Sequence, residues 1–303
     1  MDGLDRQILL DLSDNCRVTY QGMAQKHNVS ANAIKKRVTK LLSLGVIEGF
    51  FVELTYAMID AEPCMAIVTT DGTEDESFIE TIGNNPLAGP IGKLAGSMYN
   101  IIGVYQGSSS LAELGSSIRN IPCVINVELH PLILFKGNKI DFSVTEKKVL
   151  QYLVSDPRMA ISEVAKKSGL TSRTVRNTIN ELISGSGVHF GIHMNPSAGT
   201  GITVMIRIHW EEKAINVGEV LTYLSKTFPE EFFVPLLSAT NPLVFAIFLT
   251  SDLRRIQEIN QILRQKTEFT TIITYLGEPA RLFPDLKQLR LKEILSEAGF
   301  PAK

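Results

Sequence analysis

An internal repeat constrains this chain more than any other feature. A segment that begins at Leu4 recurs without a gap 141 residues later at Thr145. Residue type is kept at core-like positions: Ile8, Leu9, Leu12, Met23, Ala24, Ile34, Val38 and Leu41 correspond to Val149, Leu150, Leu153, Val164, Ala165, Val175, Ile179 and Leu182. The residues between these positions differ, so the two segments most simply share one three-helix fold. A period this long indicates duplicated domains.

Length and composition narrow the class of protein. A chain of 303 residues with 44% hydrophobic residues suits two to four domains with their own cores. The first residues lack the charged and apolar stretches of a leader, and the longest apolar runs are strand-sized, so we expect a soluble cytoplasmic protein. The three cysteines, Cys16, Cys64 and Cys123, have no ligand spacing, which predicts neither a disulfide framework nor a zinc site.

Charge is distributed unevenly along the chain. Residues 1–52 have 7 Lys/Arg and 5 Asp/Glu, and residues 142–191 have 7 and 4, whereas residues 53–141 have 4 and 11. The repeated helical segments are therefore basic, and the segment between them is acidic. This alternation is typical of modules that bind a polyanion and are attached to a domain that does not.

Each repeat begins with the pattern of a helix-turn-helix. In the first repeat we predict helices over 4–14, 20–27 and 30–42, followed by a short hairpin from Val46. Ser30 precedes the third helix and can accept a hydrogen bond from its free N–H groups as an N-cap. In the second repeat, Gly169 and Thr171 occupy the matching turn and cap positions.

The third helix of the first repeat has a face suited to DNA. By the 3.6-residue period, Ile34, Val38 and Leu41 share one face and must be buried. An amide on the opposite side can contact base edges, while cations reach phosphates or guanine acceptors. The predicted DNA-contacting residues are Ser30, Asn32, Lys35, Lys36, Arg37, Thr39 and Lys40. The alternative is an ordinary solvated face; four basic residues without an acid, after a matching turn, favour DNA.

The third helix of the second repeat is less basic, and its outward-facing residues differ from those of the first repeat. Its candidate DNA-contacting residues are Thr171, Arg173, Arg176, Asn177 and Asn180, with Glu181 beside them. A different set of side chains predicts either a different preferred sequence or a purely structural role.

After each helical unit the pattern changes to strands and helices in βαββαβ order. We predict strands over 65–70, 93–97, 100–107 and 124–130 with helices over 74–84 and 111–120. The second half repeats the order, with strands over 202–210, 232–238, 243–250 and 269–276 and helices over 214–227 and 253–266. This order predicts an antiparallel sheet with both helices on one face.

The segment VSANAIKKRVTKLLSLGVIEGF, from Val29 to Phe50, resembles the winged helix-turn-helix of the Lrp/AsnC family of transcription regulators. The second unit resembles it more weakly. The resemblance implies an α+β fold with winged helix-turn-helix domains at 1–52 and 142–194 and ferredoxin-like βαββαβ domains at 60–135 and 200–280. A helical tail at 281–303 lies outside the resemblance, and we expect it to pack on the sheet domains or on a neighbouring chain.

The resemblance also implies how the sheet domains work. In the family they pair sheet to sheet between subunits and bind effectors; here the two copies could pair within one chain or between chains of a homodimer. Family members that bind amino acids use a glycine and an aspartate near the third strand. The matching candidates are Gly96, Tyr99 and Asn100, but an amide replaces the carboxylate, which disfavours an ammonium ligand.

Enzyme, metal and redox functions have less support. No nucleophile elbow, P-loop or dinucleotide fingerprint occurs, and the pair His189 and His193 lacks a third ligand, so we predict no cofactor and no metal. Cys64 and Cys123 should lie at opposite ends of neighbouring strands and not bridge. Siroheme decarboxylases share the Lrp-like architecture; a similar enzyme would need histidines such as His130 and His209 to converge in the sheet cleft.

The sequence therefore predicts a regulator that binds specific double-stranded DNA without performing chemistry, with the sheet domains providing pairing and ligand response. The alternatives are a siroheme-decarboxylase-like enzyme acting on a tetrapyrrole and a non-specific, chromatin-like DNA binder.

Overall fold

The computed structural model describes residues 1–73, 75–199, 201–250 and 252–301. Contacts divide the chain into two compact units. The sheet unit comprises residues 1–2, 62–134 and 195–283, and the winged unit comprises residues 3–61, 135–194 and the tail from Pro284. Glu74, where we predicted a helix to begin, Thr200, where the second sheet domain was predicted to begin, and positions 302–303 of the tail lie outside the described residues.

The elements follow each other in the order expected of a duplication. The helices are α1 (Gly3–Asp14), α2 (Tyr20–His27), α3 (Ala31–Ser43), α4 (Asp75–Gly83), α5 (Gly107–Arg119), α6 (Val144–Leu153), α7 (Ile161–Ser168), α8 (Ser172–Gly185), α9 (Val217–Thr227), α10 (Leu253–Arg264) and α11 (Leu286–Glu297). The strands are β1 (Ile47–Leu54), β2 (Glu62–Thr70), β3 (Ala88–Leu94), β4 (Met98–Tyr105), β5 (Val124–Ile133), β6 (Val188–Met194), β7 (Ile202–Trp210), β8 (Phe232–Ser238), β9 (Leu243–Thr250) and β10 (Phe269–Leu276). Short 3-10 helices cover Tyr56–Ile59 and Pro196–Gly199.

Side-chain caps fix where many of these helices begin. The Thr19 hydroxyl accepts from the Gly22 amide at the start of α2. Ser143 and Glu146 form a reciprocal capping box on α6, and Asn216 and Glu219 form one on α9. Each cap satisfies an N–H group that has no partner inside its helix, which explains why the local sequence predicts these boundaries.

The winged unit contains both three-helix repeats and a two-stranded ribbon. β1 pairs antiparallel with β6, with Phe51 opposite Gly191 and Leu54 opposite Val188. The hairpin predicted from Val46 is therefore wrong. The chain after α3 forms a single strand because its partner comes from the other repeat, and this pairing has no signal in either local sequence.

The tail helix α11 belongs to the winged unit and packs on β1, α6 and the Tyr56–Ile59 turn. Leu291 and Leu295 are buried, and the Lys287 ammonium lies 2.5 Å from Oε1 of Glu53. We expected the tail at 281–303 to pack on the sheet domains: Arg281 and Phe283 do so, against Ile91 and Gly83, whereas α11 packs within the winged unit. A buried cation needs a buried carboxylate, and β1 supplies it.

The sheet unit contains both βαββαβ repeats in one antiparallel sheet. Among the described residues its strand order is β10-β7-β9-β8-β5-β2-β4-β3. The two halves join where Leu132 of β5 pairs with Ser238 of β8. At the opposite edges, Leu94 of β3 bridges to Gly277, just after β10. The two sheet domains consequently pair within the chain, one of the two arrangements that the sequence left open.

Among the described residues, three apolar clusters stabilise the sheet unit. One lies between α4, α5 and their strands, around Phe78 and Ile118, and a second lies between α9, α10 and theirs, around Leu224 and Phe248. The third joins the helix-free faces of the two halves; it contains Met65, Ile67, Leu94, Leu132, Met205, Leu243, Phe245 and Tyr275. We call this shared surface the inner face. The predicted α+β fold is confirmed.

Most predicted strands match closely, but β3 does not. It spans Ala88–Leu94, whereas we predicted 93–97. Gly89 and Pro90 are typical of a turn, yet β3 is an edge strand whose pairing with β4 is irregular between Ala88 and Ile91. An edge strand tolerates proline because the missing N–H faces away from the ladder.

Candidate nucleic-acid interface

The turn before α3 has the geometry of a helix-turn-helix. Asn28 ends α2 in the left-handed conformation, with φ of 54°. The Ser30 hydroxyl then accepts a hydrogen bond of 3.1 Å from the Ala33 amide and begins α3. The predicted N-cap role of Ser30 is therefore present, and its hydroxyl is engaged with the helix.

The two sides of α3 differ as the helical period requires. Ile34, Val38 and Leu41 are at most 1% exposed. The opposite side is open to solvent and consists of Asn32, Lys35, Lys36, Thr39 and Lys40. We call these five residues the α3 face. Three cations without a carboxylate among them produce a positive surface whose natural counterpart is a polyanion.

Arg37 is placed differently from its neighbours. Its Nη1 donates to Oδ1 of Asp5 on α1 at 2.7 Å, and the Asp5 side chain is only 9% exposed. The sequence grouped Arg37 with the DNA-contacting residues; the structure ties it to α1, because position 37 lies at the edge of the buried stripe.

The second repeat builds a similar helix with another surface. The Thr171 hydroxyl accepts from the Thr174 amide, and Gly169 takes the left-handed turn with φ of 68°. Val175, Ile179 and Leu182 are buried. The exposed side carries Arg173, Arg176, Asn177, Asn180 and Glu181. We call these residues the α8 face; it combines two cations, two amides and one carboxylate.

The predicted effector residues do not come together. Tyr99 is fully buried on the helix side of β4, where its hydroxyl donates to Oδ1 of Asp75 at 2.5 Å. Asn100, the next residue, points to the inner face, where it lies over Gly92. Gly96 is in the turn between β3 and β4 with φ of 80°. Alternation along a strand separates Tyr99 from Asn100, so these residues cannot line one pocket.

The inner face instead contains a polar cluster, of which sequence analysis named only His130 and His209. The Arg207 guanidinium donates to Oε2 of Glu128 at 2.7 Å and, through Nε, to Nε2 of His209 at 2.9 Å. His130 is 6% exposed, its Nε2 lies 3.6 Å from Oε2 of Glu128, and its ring lies against Phe245. Alternation along β5 and β7 gives the signal that could have found this cluster.

Burial and charge make the histidines of the cluster poor bases. Burial lowers the pKa of His130, and the positive charge of Arg207 lowers it further against the opposing effect of Glu128. Burial and Arg207 likewise lower the pKa of His209. Neither ring nitrogen of His130 has a hydrogen-bond partner among the described residues. The cluster therefore holds one balanced ion pair and neutral imidazoles.

The His189 and His193 pair on β6 does not assemble a metal site. The ring of Phe51 lies over Gly191 between the two imidazoles, 5.5 Å from His189 and 4.7 Å from His193 by ring centroids. Positions four apart in a strand are separated by about 13 Å along it, too far for one ion. Within the described residues no group of three His, Cys, Asp or Glu side chains is arranged around a metal position.

The three cysteines are buried, and none of them forms a disulfide within the described residues. Cys64 is opposite Pro131 on β5, while Cys123 precedes the other end of that strand, next to the pair formed by Thr70 and Val124. The expectation that Cys64 and Cys123 cannot bridge agrees with this register. None of the helices in the described ranges has both the length and the apolar character to span a membrane.

Both helical repeats match one family model. A family model described as winged helix-turn-helix DNA-binding matches residues 1–48 and 142–185. An uncharacterized HTH-type transcriptional regulator of Pyrococcus furiosus is 42% identical over 62 residues, which cover 20% of this chain and 42% of that protein. The HTH-type transcriptional regulator AldR of Mycolicibacterium smegmatis is 28% identical over 100 residues, 32% of this chain and 58% of that protein. The chain spans only about two fifths of the length of the first curated relatives it matches.

The whole chain also resembles a solved structure. The siroheme decarboxylase NirDL covers 98% of this chain and 99% of its own, with a TM-score of 0.56 and 13% identity. Its complex with an iron-uroporphyrin III analogue gives a TM-score of 0.54 at 11% identity. At such identities the likeness concerns the fold, including the alternation of winged and sheet domains.

Proposed function

Because the chain is an Lrp/AsnC-like protein in which a winged helix-turn-helix and a βαββαβ domain occur twice, we propose that it is a sequence-specific DNA-binding transcription regulator. The α3 face is the observation that carries the proposal. Its three lysines, one amide and one hydroxyl stand on a capped helix whose other side is fully packed. Such a helix can enter a major groove without losing any internal contact.

In this proposal the side chains of α3 contact different parts of the DNA. Asn32 contacts base edges, because an amide can donate and accept at once, as adenine requires. Lys35, Lys36 and Lys40 contact phosphates or guanine acceptors, and Thr39 with Ser30 contacts the backbone at the flank. Arg37 acts through Asp5 to hold α3 against α1.

The α8 face is proposed as the second contact. Thr171, Arg173, Arg176, Asn177 and Asn180 would meet a different half-site, because their donors and acceptors differ from those of α3. One chain then recognises an asymmetric pair of half-sites, and a homodimer of chains would restore a palindrome. The sheet domains would transmit any effector response.

The test is selection of binding sites from a randomised duplex pool, followed by anisotropy titrations at low and near-physiological salt. A specific regulator enriches a defined motif and retains its affinity ratio over random DNA at the higher salt. If no motif is enriched and binding disappears at the higher salt, the proposal is contradicted and a chromatin-like binder is favoured.

A second candidate, an enzyme acting on a tetrapyrrole, is supported by a specific observation: His130, Arg207 and His209 meet on the inner face of a fold shared with NirDL. Against it, the charge of Arg207 is already neutralised by Glu128, so this cation is not available to a tetrapyrrole carboxylate. Absorbance titration with iron-uroporphyrin III decides: a band shift present in the wild type and lost in Arg207→Met would favour the enzyme.

A further inference from the structure

Two arginines at equivalent positions of the two repeats each contact the other winged domain of the winged unit. Arg17 follows α1 in the first repeat, and Arg158 occupies the same position in the second. Arg17 donates through Nη1 to the Pro157 carbonyl and through Nη2 to the Met159 carbonyl at 3.1 Å. Arg17 therefore hydrogen-bonds to the backbone on both sides of Arg158.

Arg158 reaches in the opposite direction, into the first repeat. Its guanidinium carbon lies 5.1 Å from the ring centroid of Tyr20 and 5.3 Å from that of Phe50. At these distances a guanidinium is attracted to both aromatic faces. Tyr20 begins α2 and Phe50 lies in β1, so Arg158 contacts two elements that frame the first helix-turn-helix.

Two further hydrogen bonds cross at the same place. The Cys16 amide donates to the Phe190 carbonyl at 2.8 Å, and the His189 ring donates to the Ser13 carbonyl at 2.7 Å. The β1–β6 ladder fixes the register of the two domains. A two-stranded ribbon alone twists and bends easily, so the helices need such side contacts to keep one orientation.

Placing the charges of Arg17 and Arg158 close together in a partly buried site costs free energy, which indicates that their position is important. Burial lowers the pKa of Arg17, and the nearby positive charge of Arg158 lowers it further. An ion pair on the protein surface could join the two winged domains without this cost of burial and of repulsion between like charges. Carbonyl oxygens replace the lost hydration of the Arg17 guanidinium, and aromatic faces replace that of Arg158, whose Nη1 has no hydrogen-bond partner among the described residues.

We infer that Arg17 and Arg158 are positioning residues that hold the two winged domains in one orientation and thereby set the spacing of the two DNA half-sites. The second part of this inference rests on the proposed function. The first part concerns the protein alone and can be measured without DNA.

The first measurement is the distance between spin labels on Ser43→Cys and Ser184→Cys, the repeat-equivalent exposed residues near the ends of α3 and α8. The native cysteines are buried and will not compete for label. The wild type should give one narrow distance distribution, and Arg17→Met and Arg158→Met should broaden it. Arg290→Met, which removes an exposed guanidinium paired within α11, is the matched control and should change nothing. Arg17→Lys, which keeps the charge and one donor, replaces Arg17→Met if the latter does not fold.

The second measurement varies the spacing of the selected half-sites. Insertion of about five base pairs puts the half-sites on opposite faces of the duplex and should weaken wild-type binding by about tenfold or more. In the Arg17 and Arg158 variants the loss should be much smaller, while affinity for a single half-site stays unchanged.

The outcomes separate the two proposals. A narrow distribution in the variants overturns the positioning role. Broadening with unchanged spacing dependence overturns the link to half-site spacing. Broadening together with the absence of any selected motif overturns the proposed function and leaves the positioning role standing.

Discussion

Arg37 of α3 donates to the buried carboxylate of Asp5 on α1 across 2.7 Å, whereas its neighbour Lys36 faces solvent. Two adjacent basic residues of one helix therefore have opposite tasks. Arg37 holds the helix in its domain, and Lys36 is available to a ligand. Substituting each of the two residues in turn therefore distinguishes a contribution to stability from a contribution to binding.

We expect Arg37→Met to lower the free energy of unfolding of the protein by about 1.5–3 kcal/mol, because Asp5 loses a charge-assisted hydrogen bond while it stays buried. Lys36→Met, the matched control, should change stability by less than about 0.5 kcal/mol. Urea unfolding followed by circular dichroism measures both. Equal effects of the two substitutions would refute the assignment of Arg37 to the fold.

The α3 face should produce a specific salt dependence. Each lysine that neutralises a phosphate contributes about 0.9 to the slope of log affinity against log salt. Lys36→Met and Lys40→Met should each reduce that slope by about one and weaken binding to all sequences alike. Lys292→Met, on the exposed side of α11, is the control of equal charge change. An unchanged slope would place the DNA surface elsewhere.

His130 should make the sheet unit less stable in acid. Its pKa is held below the ordinary value of 6.5, chiefly by burial, so the unfolded chain binds more protons than the folded chain once the pH falls below that value. Stability is fully present above about pH 6.5 and is lost as the pH falls toward the lowered pKa. Urea midpoints at pH 7.5 and 5.5 should differ less in His130→Leu than in the wild type.

Met65→Leu is the matched control for His130→Leu, because Met65 is opposite His130 on β2, is fully buried and does not titrate. An undiminished pH effect in His130→Leu would show that other groups carry it; His193 and His209, whose pKa values burial also lowers, are the next to test.

The tail helix should depend on its buried ion pair. Burial disfavours the charge of Lys287, but the carboxylates of Glu53 and Asp285 outweigh it and hold the pKa of Lys287 above its ordinary value. Lys287→Met should destabilise the winged unit by about 3–5 kcal/mol, because Glu53 is left buried without a partner. Adding Glu53→Met should restore part of that loss; a strictly additive double variant would show that the two side chains do not interact.

The thiols should be inert in the folded protein. Burial raises the pKa of Cys64 to about 12 and that of Cys16 to about 11, which leaves almost no thiolate near neutral pH. Titration with a thiol-reactive chromophore should detect no fast thiol in native buffer and three in denaturant. A fast thiol in native buffer would mean that one of these cores opens readily.

The sequence by itself determined the repeat, the helix-turn-helix and the order of strands and helices. α2, β7, β8, β9 and β10 have the bounds that periodicity predicts, and Ser30 caps α3 as expected. These features depend on interactions within a few residues, such as caps, turns and the alternation of apolar side chains, and short-range interactions are written directly in the sequence.

Only the tertiary structure decided which surfaces meet. β1 pairs with β6 instead of forming a hairpin, and Arg207 contacts Glu128 from the other repeat. Arg17 likewise hydrogen-bonds to the carbonyls of Pro157 and Met159, which lie on either side of its repeat-equivalent Arg158. Each of these contacts joins positions far apart in the sequence. The choice of partner is made by the packing of whole domains, and no local period records it.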